Sequence, residues 1–376
     1  MVLGTARITE EGINELRHRI GSYFAVVYGN REVTKDAIRH FAEGIGDPNP
    51  LWVDEEYAKK TRWGGIITPP IFLYSVIHPT GMRAGGLPGV HSFHAGNDWE
   101  WFKPIRLGDR IRGTYQLIDL AEKPSKFSDR TVIQYAEIKY FNQRDELLAK
   151  TIGWSIRADR QASQQKGKYA GTKIYKYTEE EIEAIFCAYE SEQIRGAIPR
   201  YWEDVNVGDD IPPVIKGPFT VIDTIAWKQA VPGGLFGMGM AHGLKLKEIR
   251  KHPAFGYRDP KTGSIQTIAE VHSNDEVAQG AAIGAAYDLG SQRNSWMAQP
   301  LTHWMGDDGF LKKLYAEYRR FNIYGDTQWI KGKITRKYIE NTEHLLDIDI
   351  WCENQRREIT APGKATIILP SRERSI

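Results

Sequence analysis

Hydrophobic positions near the amino terminus of the chain recur with the spacing of a helix. After Thr34, a residue type that caps helices well, the pattern predicts a helix that ends at Gly46. A second short helix is predicted to begin after Asp54 and to end at Gly64. The apolar face of the first helix consists of Ala37, Ile38, Phe41, Ala42 and Ile45.

A third segment, residues 71–77, follows two prolines that suit the opening of a helix. It is too apolar for a surface helix, so we expect Ile71, Leu73 and Val76 to be buried. Trp296, in the corresponding segment of the second half, is expected to be buried as well. Pro300 should either kink that second helix or end it.

Strand-like segments follow each of these apolar helices. Hydrophobic and polar residues alternate over 346–352 and again over 151–156, which is the period of a half-buried antiparallel strand. One buried helix wrapped by a long antiparallel sheet, made twice, is the α+β architecture that this pattern predicts.

The two halves correspond at an offset of about 220 residues. His272 then takes the place of Trp52, and the turn at Gly108 recurs at Gly325. Asn142 recurs as Asn354 at a similar offset. We therefore predict a first domain over 1–158, a linker over 159–176, and a second domain over 177–376 that carries an insertion near 232–265.

The composition of the chain argues against some classes of binding partner. Fifty basic residues against 48 acidic ones produce no field that favours nucleic acid or a membrane surface. Cys187 and Cys352 are far apart and lack metal-ligand neighbours, so we expect a reducing, cytoplasmic setting and no metal site. No Walker or dinucleotide loop is present, and no cofactor is expected.

One motif identifies a family. The segment Gly46-Asp47-Pro48-Asn49-Pro50-Leu51, within 41–73, closely resembles the MaoC-like dehydratases and R-specific enoyl-CoA hydratases. The remainder, including Gln292-Arg293 and Trp304-Met305-Gly306-Asp307-Asp308-Gly309, is similar to the second half of double hot-dog members of that group. The resemblance implies a double hot-dog fold and an acyl-CoA thioester as substrate.

The family motif is Asp, any residue, Asn-Pro-Leu-His, and the resemblance implies that its Asp and His handle a water molecule and a proton. A backbone N–H at the start of the buried helix, usually beside a glycine, would stabilise the thioester oxygen. In the first half, Trp52 replaces the histidine and Pro70 replaces the glycine, so its backbone has no N–H to donate. We expect this half to have lost its chemistry and to widen the acyl pocket.

The second half keeps some of the residues of the family motif. His272 occupies the histidine position and Gly290 the helix-start position, whereas Thr267 replaces the aspartate and cannot act as a base at neutral pH. Asp288 is our candidate for the missing carboxylate, with a helix-capping role as the alternative reading, and Asp275 is the second candidate. We therefore predict His272, Asp288 and Gly290 as the catalytic set.

Five further residues are candidates for substrate binding: Asp47, Asn49, Tyr287, Gln292 and Arg293. Asp47 and Asn49 also suit a structural turn, and Arg293 also suits a buried ion pair with Asp288 or Asp307. His242, in an Ala-His-Gly sequence that mimics the family, falls inside the predicted insertion and is assigned to a helix in a loop.

Three functions remain open on the sequence. The first is reversible hydration of an enoyl-CoA in the second half. The second is a noncatalytic acyl-CoA-binding subunit that completes the active site of a partner hot-dog chain. The third is an acyl-CoA thioesterase on the same fold. In each case we expect a homo-oligomer or a hetero-oligomer with another hot-dog chain.

Overall fold

Two antiparallel sheets join edge to edge to form one nine-stranded sheet in the computed structural model. The structure describes residues 7–81, 85, 87, 90–123, 130–158, 171–232, 242–251, 253, 256–259 and 261–373. Within them the strands are β1 His91–Trp101, β2 Arg112–Lys123, β3 Thr131–Phe141, β4 Leu147–Ala158, β5 Asp210–Lys216, β6 Gly256–Arg258, β7 Ile265–Thr267, β8 Phe310–Glu317, β9 Gln328–Glu340, β10 Glu343–Asn354 and β11 Ile359–Ile368.

The strand order is β2-β3-β4-β1-β8-β11-β10-β9-β5, so the first half supplies one end of the sheet and the second half the other. The halves meet where β1 pairs antiparallel with β8, for example at Asp98 and Tyr315. Strands β6 and β7 form a separate small hairpin. The chain therefore has the double hot-dog architecture that the sequence predicts.

Ten α-helices are present in the described part of the chain: α1 Glu10–His18, α2 Lys35–Ile45, α3 Pro50–Val53, α4 Glu55–Lys59, α5 Leu73–Val76, α6 Glu179–Glu190, α7 Val221–Ala230, α8 His242–Lys251, α9 Asp275–Gly280 and α10 Gly290–Met305. Short 3-10 turns also occur at Pro70–Phe72, Trp202–Asp204 and Ile268–His272. The Thr34 hydroxyl caps α2 by accepting from the N–H of Ala37 at 3.2 Å, and Gly46 ends that helix with a φ of 62°.

The turns of the two halves are built alike at atomic detail. Asp109 accepts the N–H of Arg106, and Asp326 accepts the N–H of Ile323 in the matching turn. Asn142 and Asn354 each accept two backbone N–H groups of their own turns. Since identical side-chain hydrogen bonds recur at matching positions, the two halves are structural repeats.

One buried helical segment lies at the centre of each repeat. The first is short, a 3-10 turn from Pro70 followed by α5, and the second is the 16-residue α10. Pro300 lies inside α10, which continues through it to Met305 without ending. As expected, Ile71, Leu73, Val76 and Trp296 are all buried.

The predicted boundaries fall partly outside the described residues. Positions 159–170 of the linker are among these, and 171–178 form neither helix nor strand. Within the insertion near 232–265, the structure describes α8, which begins at His242, and most of the hairpin β6–β7. No helix in the described ranges is long and apolar enough to cross a membrane.

Candidate active site and the degenerate site opposite

The start of α10 carries most of the residues predicted for the second-half site. The N–H groups of its first turn have no acceptor within the helix, and the helix dipole makes this end positive. Gly290 is the first residue, and a Cβ atom there would lie only 2.5 Å from the ring of Tyr318. Glycine is therefore required for the aromatic ring to pack against this helix end.

His272 lies at the end of the 3-10 turn Ile268–His272, next to that helix start. Its Nδ1 is 2.9 Å from the carbonyl oxygen of Tyr287, three residues before Gly290. Because a carbonyl can only accept, Nδ1 carries the proton and Nε2 carries a lone pair. Burial and the charge of Lys228 lower the pKa of His272 to about 4, so the imidazole is neutral at physiological pH.

Glu270 is a carboxylate near His272 that the sequence argument missed. It pairs with Lys245 at 2.9 Å and accepts from the Ser273 hydroxyl at 2.7 Å. Burial acts to raise the pKa of Glu270, but these two partners outweigh it and lower the pKa. The charge of Glu270 in turn acts to raise the pKa of His272. In the sequence, only its position two residues before His272 could have pointed to Glu270.

Asp288, predicted as the missing carboxylate, lies in a buried ion pair. Both of its oxygens bind the guanidinium of Arg293, one of them at 2.7 Å, and Asn322 donates to it at 3.3 Å. The two side chains are 1% and 2% exposed, so this is a buried ion pair. A carboxylate held in this way is poorly placed to act as a free base. The ion pair between Arg293 and Asp288 that the sequence allowed is therefore the one observed.

The other candidates near this helix end also have structural partners. Asp275 accepts the N–H of Ala286 at 2.8 Å. Gln292 is fully buried and donates to the carbonyl of Asp223 at 3.0 Å, which argues against substrate binding. Arg293 likewise donates to the carbonyl of Arg320 and is held away from a ligand. Tyr287 packs edge-on against His272 with ring centroids 4.7 Å apart.

Thr267 occupies the position of the family aspartate in the second-half motif. Its side chain is buried, and its hydroxyl has no hydrogen-bond partner among the described residues. The carboxylate inside the span from Thr267 to His272 is Glu270, three residues after Thr267.

First-half side chains also reach the first turn of α10. His78 lies 2.9 Å from the Ser291 hydroxyl, and Tyr74 donates to Asn294 at 2.9 Å. Tyr74 and Asn294 occupy equivalent positions in the two repeats, so this contact lies close to the pseudo-twofold axis. Sequence spacing could not reveal these contacts, because they join residues of different repeats.

His94 on β1 is a second neutral imidazole in this region. Asn97 donates its amide to the carbonyl of Pro79, so its oxygen is the acceptor for His94 Nε2 at 2.6 Å. The proton of His94 is therefore on Nε2, and the Nδ1 lone pair has no partner among the described residues. Burial lowers the pKa of His94 to about 4.

The first-half motif lies at the other end of α10. Asp47 accepts the indole N–H of Trp52 at 2.9 Å and the N–H of Asn49 at 3.1 Å, and it lies 3.0 Å from His303 Nε2. Burial acts to raise the pKa of Asp47, but hydrogen bonds from His303, Trp52 and Asn49 outweigh it and lower the pKa. Asp47 is therefore an ionised, buried anchor.

Two more second-half side chains bind the same turn. Lys216 and Gln299 both donate to the carbonyl of Gly46 at 2.8 Å. Burial lowers the pKa of Lys216 to about 8. Asn49 caps α3 by accepting from Leu51 at 3.0 Å. The structural reading of Asp47 and Asn49 thus matches the hydrogen bonds, and the turn joins the two halves.

A pocket remains at the first-half site. It encloses about 470 Å³ of empty space, counting its solvent-open mouth. Its lining includes Asn49, Trp52 and Pro70 of the first half and Thr302 and Met305 at the end of α10. Since α10 has 16 residues and rises 1.5 Å per residue, its ends are roughly 24 Å apart. The pocket is therefore distinct from the region around His272.

Comparisons with known proteins agree with this architecture. Residues 19–151 match the model of the FAS1-like dehydratase domain region. A UPF0336 protein of Streptomyces avermitilis is 35% identical over 91 residues, which are 22% of this chain and 59% of that protein. A UPF0336 protein of Thermobifida fusca is 49% identical over 94 residues, 24% of this chain and 62% of that protein. The chain thus spans less than two thirds of the length of these relatives.

Solved structures show the fold over almost the whole chain. A MaoC-like dehydratase superposes with a TM-score of 0.65 at 14% identity, covering 94% of this chain and 99% of that one. A conserved hypothetical protein of Mycobacterium tuberculosis, described as having a double hotdog fold, superposes with a TM-score of 0.53 at 10% identity, covering 93% and 96%. These matches show the fold: the chain has the double hot-dog fold, and a solved MaoC-like dehydratase shares it over almost its whole length.

Proposed function

We propose that the chain reversibly hydrates an enoyl-CoA thioester, in the manner of the R-specific hydratases, at its second-half site. The observation that supports this most directly is the state of His272. Its Nδ1–H is fixed on the carbonyl of Tyr287, so the lone pair of the neutral imidazole is on Nε2. A general base needs that lone pair at the working pH.

In the proposed reaction, His272 Nε2 removes a proton from water while the water oxygen bonds to the β-carbon of the enoyl group. The electron pair of the carbon–carbon double bond moves toward the thioester, whose oxygen gains negative charge. First-turn N–H groups at Gly290 stabilise that charge. The proton held by His272 then goes to the α-carbon, so that one water has been added.

Glu270 takes the place of Asp288 in this proposal. Its negative charge stabilises the imidazolium that forms when His272 accepts the proton. Asp288 instead holds Arg293, and through it the carbonyl of Arg320, next to the helix start. Its part is therefore to position the first turn of α10.

One observation favours a second candidate, a noncatalytic acyl-CoA-binding subunit of a partner hot-dog enzyme. Thr267 replaces the family carboxylate, and Asp288 is consumed by a buried ion pair. On this account a partner chain supplies the missing acid, and the isolated chain binds acyl-CoA without converting it.

The decisive experiment incubates the purified chain with a panel of enoyl-CoA esters and follows the loss of enoyl absorbance. Chiral analysis of the 3-hydroxyacyl product tests the R-specific part of the proposal. The matched control for His272→Ala is His18→Ala, because His18 also binds a backbone carbonyl through Nδ1 but is exposed, at the end of helix α1. If every ester is bound without hydration, the subunit function replaces the hydratase.

A further inference from the structure

The pocket at the first-half motif has no part in the proposed reaction. Its walls are apolar and largely aromatic, formed by Trp52, Trp63, Trp101 and Phe310. The indole N–H of Trp52 points away from the pocket and donates to Asp47. The hydrocarbon surface of the ring therefore lines the pocket. The geometry therefore favours an apolar ligand group here.

The replacements that remove chemistry from this site leave the cavity in place. Trp52 has no titratable group, and Pro70 has no N–H to offer a thioester oxygen. Nevertheless an apolar pocket open to solvent remains, and the second half completes its wall with Thr302 and Met305. A ligand held here would be bound and not converted.

Lys103 is the cation among the lining residues, and it suggests which head group the ligand carries. Its side chain is 49% exposed and pairs with Glu146, so it lies toward the solvent side of the pocket. The other charged lining residue, Asp307, accepts from the hydroxyl of Tyr57 of the first half at 2.5 Å. An apolar chain inside with an anion near Lys103 matches this arrangement.

We propose that this pocket is a second, noncatalytic site that binds the acyl chain of a short carboxylic acid, with the carboxylate near Lys103. The site is independent of the enoyl-CoA site, since it lies at the far end of α10. Three indoles line it, so occupation changes the tryptophan fluorescence of the chain.

The test measures binding of hexanoate to the full chain by calorimetry and by quenching of tryptophan fluorescence. Thr302→Leu enlarges a side chain that lines the pocket, whereas Thr302→Val keeps its volume and serves as the matched control. We expect Thr302→Leu to weaken hexanoate binding by about tenfold or more and Thr302→Val to leave it nearly unchanged. Circular dichroism checks that both variants are folded. If Thr302→Leu does not fold, Thr68→Leu fills the pocket from another wall and replaces it in the test.

Lys103→Ala tests the head-group contact. Its matched control is Lys150→Ala, because Lys150 is similarly exposed and also pairs with a glutamate but does not line the pocket. Hexanoate affinity should fall for Lys103→Ala alone. Undiminished affinity in the folded blocking variant would overturn the proposal, as would equal affinity of the two lysine variants. Loss of enoyl-CoA turnover with retained hexanoate binding would contradict only the hydratase.

Discussion

His303 of the second half lies with its Nε2 atom 3.0 Å from the Oδ1 atom of Asp47 in the first half, and both side chains are almost fully buried. The two residues are 256 positions apart in the chain. Asp47 can only accept as a carboxylate, so His303 donates its Nε2–H. This contact anchors the motif turn of one repeat on the buried helix of the other.

Removing either member of this contact should destabilise the protein. His303→Ala leaves Asp47 buried with one partner fewer, and the loss of a buried pair member costs about 3–5 kcal/mol. Urea unfolding of the purified variant measures this free energy. The control is His18→Ala, because removing the exposed side chain of His18 at the end of helix α1 should change stability by less than about 0.5 kcal/mol.

Acid should weaken the same contact. The folded-state pKa of Asp47 is lowered, so its contribution to stability is complete above its unfolded value, about 3.9, and is lost as the pH falls through the folded value. Thermal unfolding at a series of pH values between about 6 and 2 should show a smaller acid loss for Asp47→Asn than for the unchanged protein. Equal acid dependence in both would contradict the assignment.

The pair of Asp288 and Arg293 makes a different prediction. Asp288→Asn leaves a buried guanidinium without its counter-charge, and we expect a loss of about 3–5 kcal/mol in urea unfolding. Replacing both residues by leucine should restore part of that stability, because apolar side chains of similar volume remove the charge and its partner together. A double variant less stable than Asp288→Asn would show that the pair adds net stability.

His272 should control turnover if the proposed hydratase is correct. His272→Ala should lower turnover by about 100-fold or more without unfolding the protein, since a general acid or base contributes about that much. Because the pKa of His272 is about 4, its imidazole is neutral at higher pH. In the pH–rate profile, turnover should therefore be independent of pH near neutrality and fall only below about pH 4. A limb near pH 6.5 would show that another group titrates.

Glu270 provides the companion test. Glu270→Gln keeps the shape of the side chain and removes the charge that acts on His272, so turnover should fall, though less than in His272→Ala. Glu276→Gln is the control, because Glu276 pairs with Lys261 near the surface. Turnover that is unchanged in Glu270→Gln but lost in Asp288→Asn, in a folded protein, would return the role to Asp288.

Restoring the family histidine should not revive the first half. Trp52→His removes the indole N–H from Asp47, while Pro70 still offers no N–H to a thioester oxygen. In a His272→Ala background, enoyl-CoA turnover should therefore stay at the background level. Measurable hydration there would show that the first-half site needs only its histidine.

The sequence alone determined the repeat architecture, because its signals are local. Hydrophobic period, the glycine and asparagine turns, and the matching positions of Pro70 and Gly290 each depend on residues close together in the chain. The buried positions of Ile71 and Trp296 followed from the same patterns. The family motif, read from six consecutive residues, led to the correct fold.

The tertiary structure alone decided the partners of the polar residues. His303 reaches Asp47 and Tyr74 reaches Asn294 only because the two repeats lie side by side, joined at the edges of their sheets. Spacing identified Asp288 as a possible base and as a possible ion-pair partner, and only the position of Arg293 chose between them. A buried charge takes whichever counter-charge the packed core brings within hydrogen-bond distance, and no local pattern records that choice.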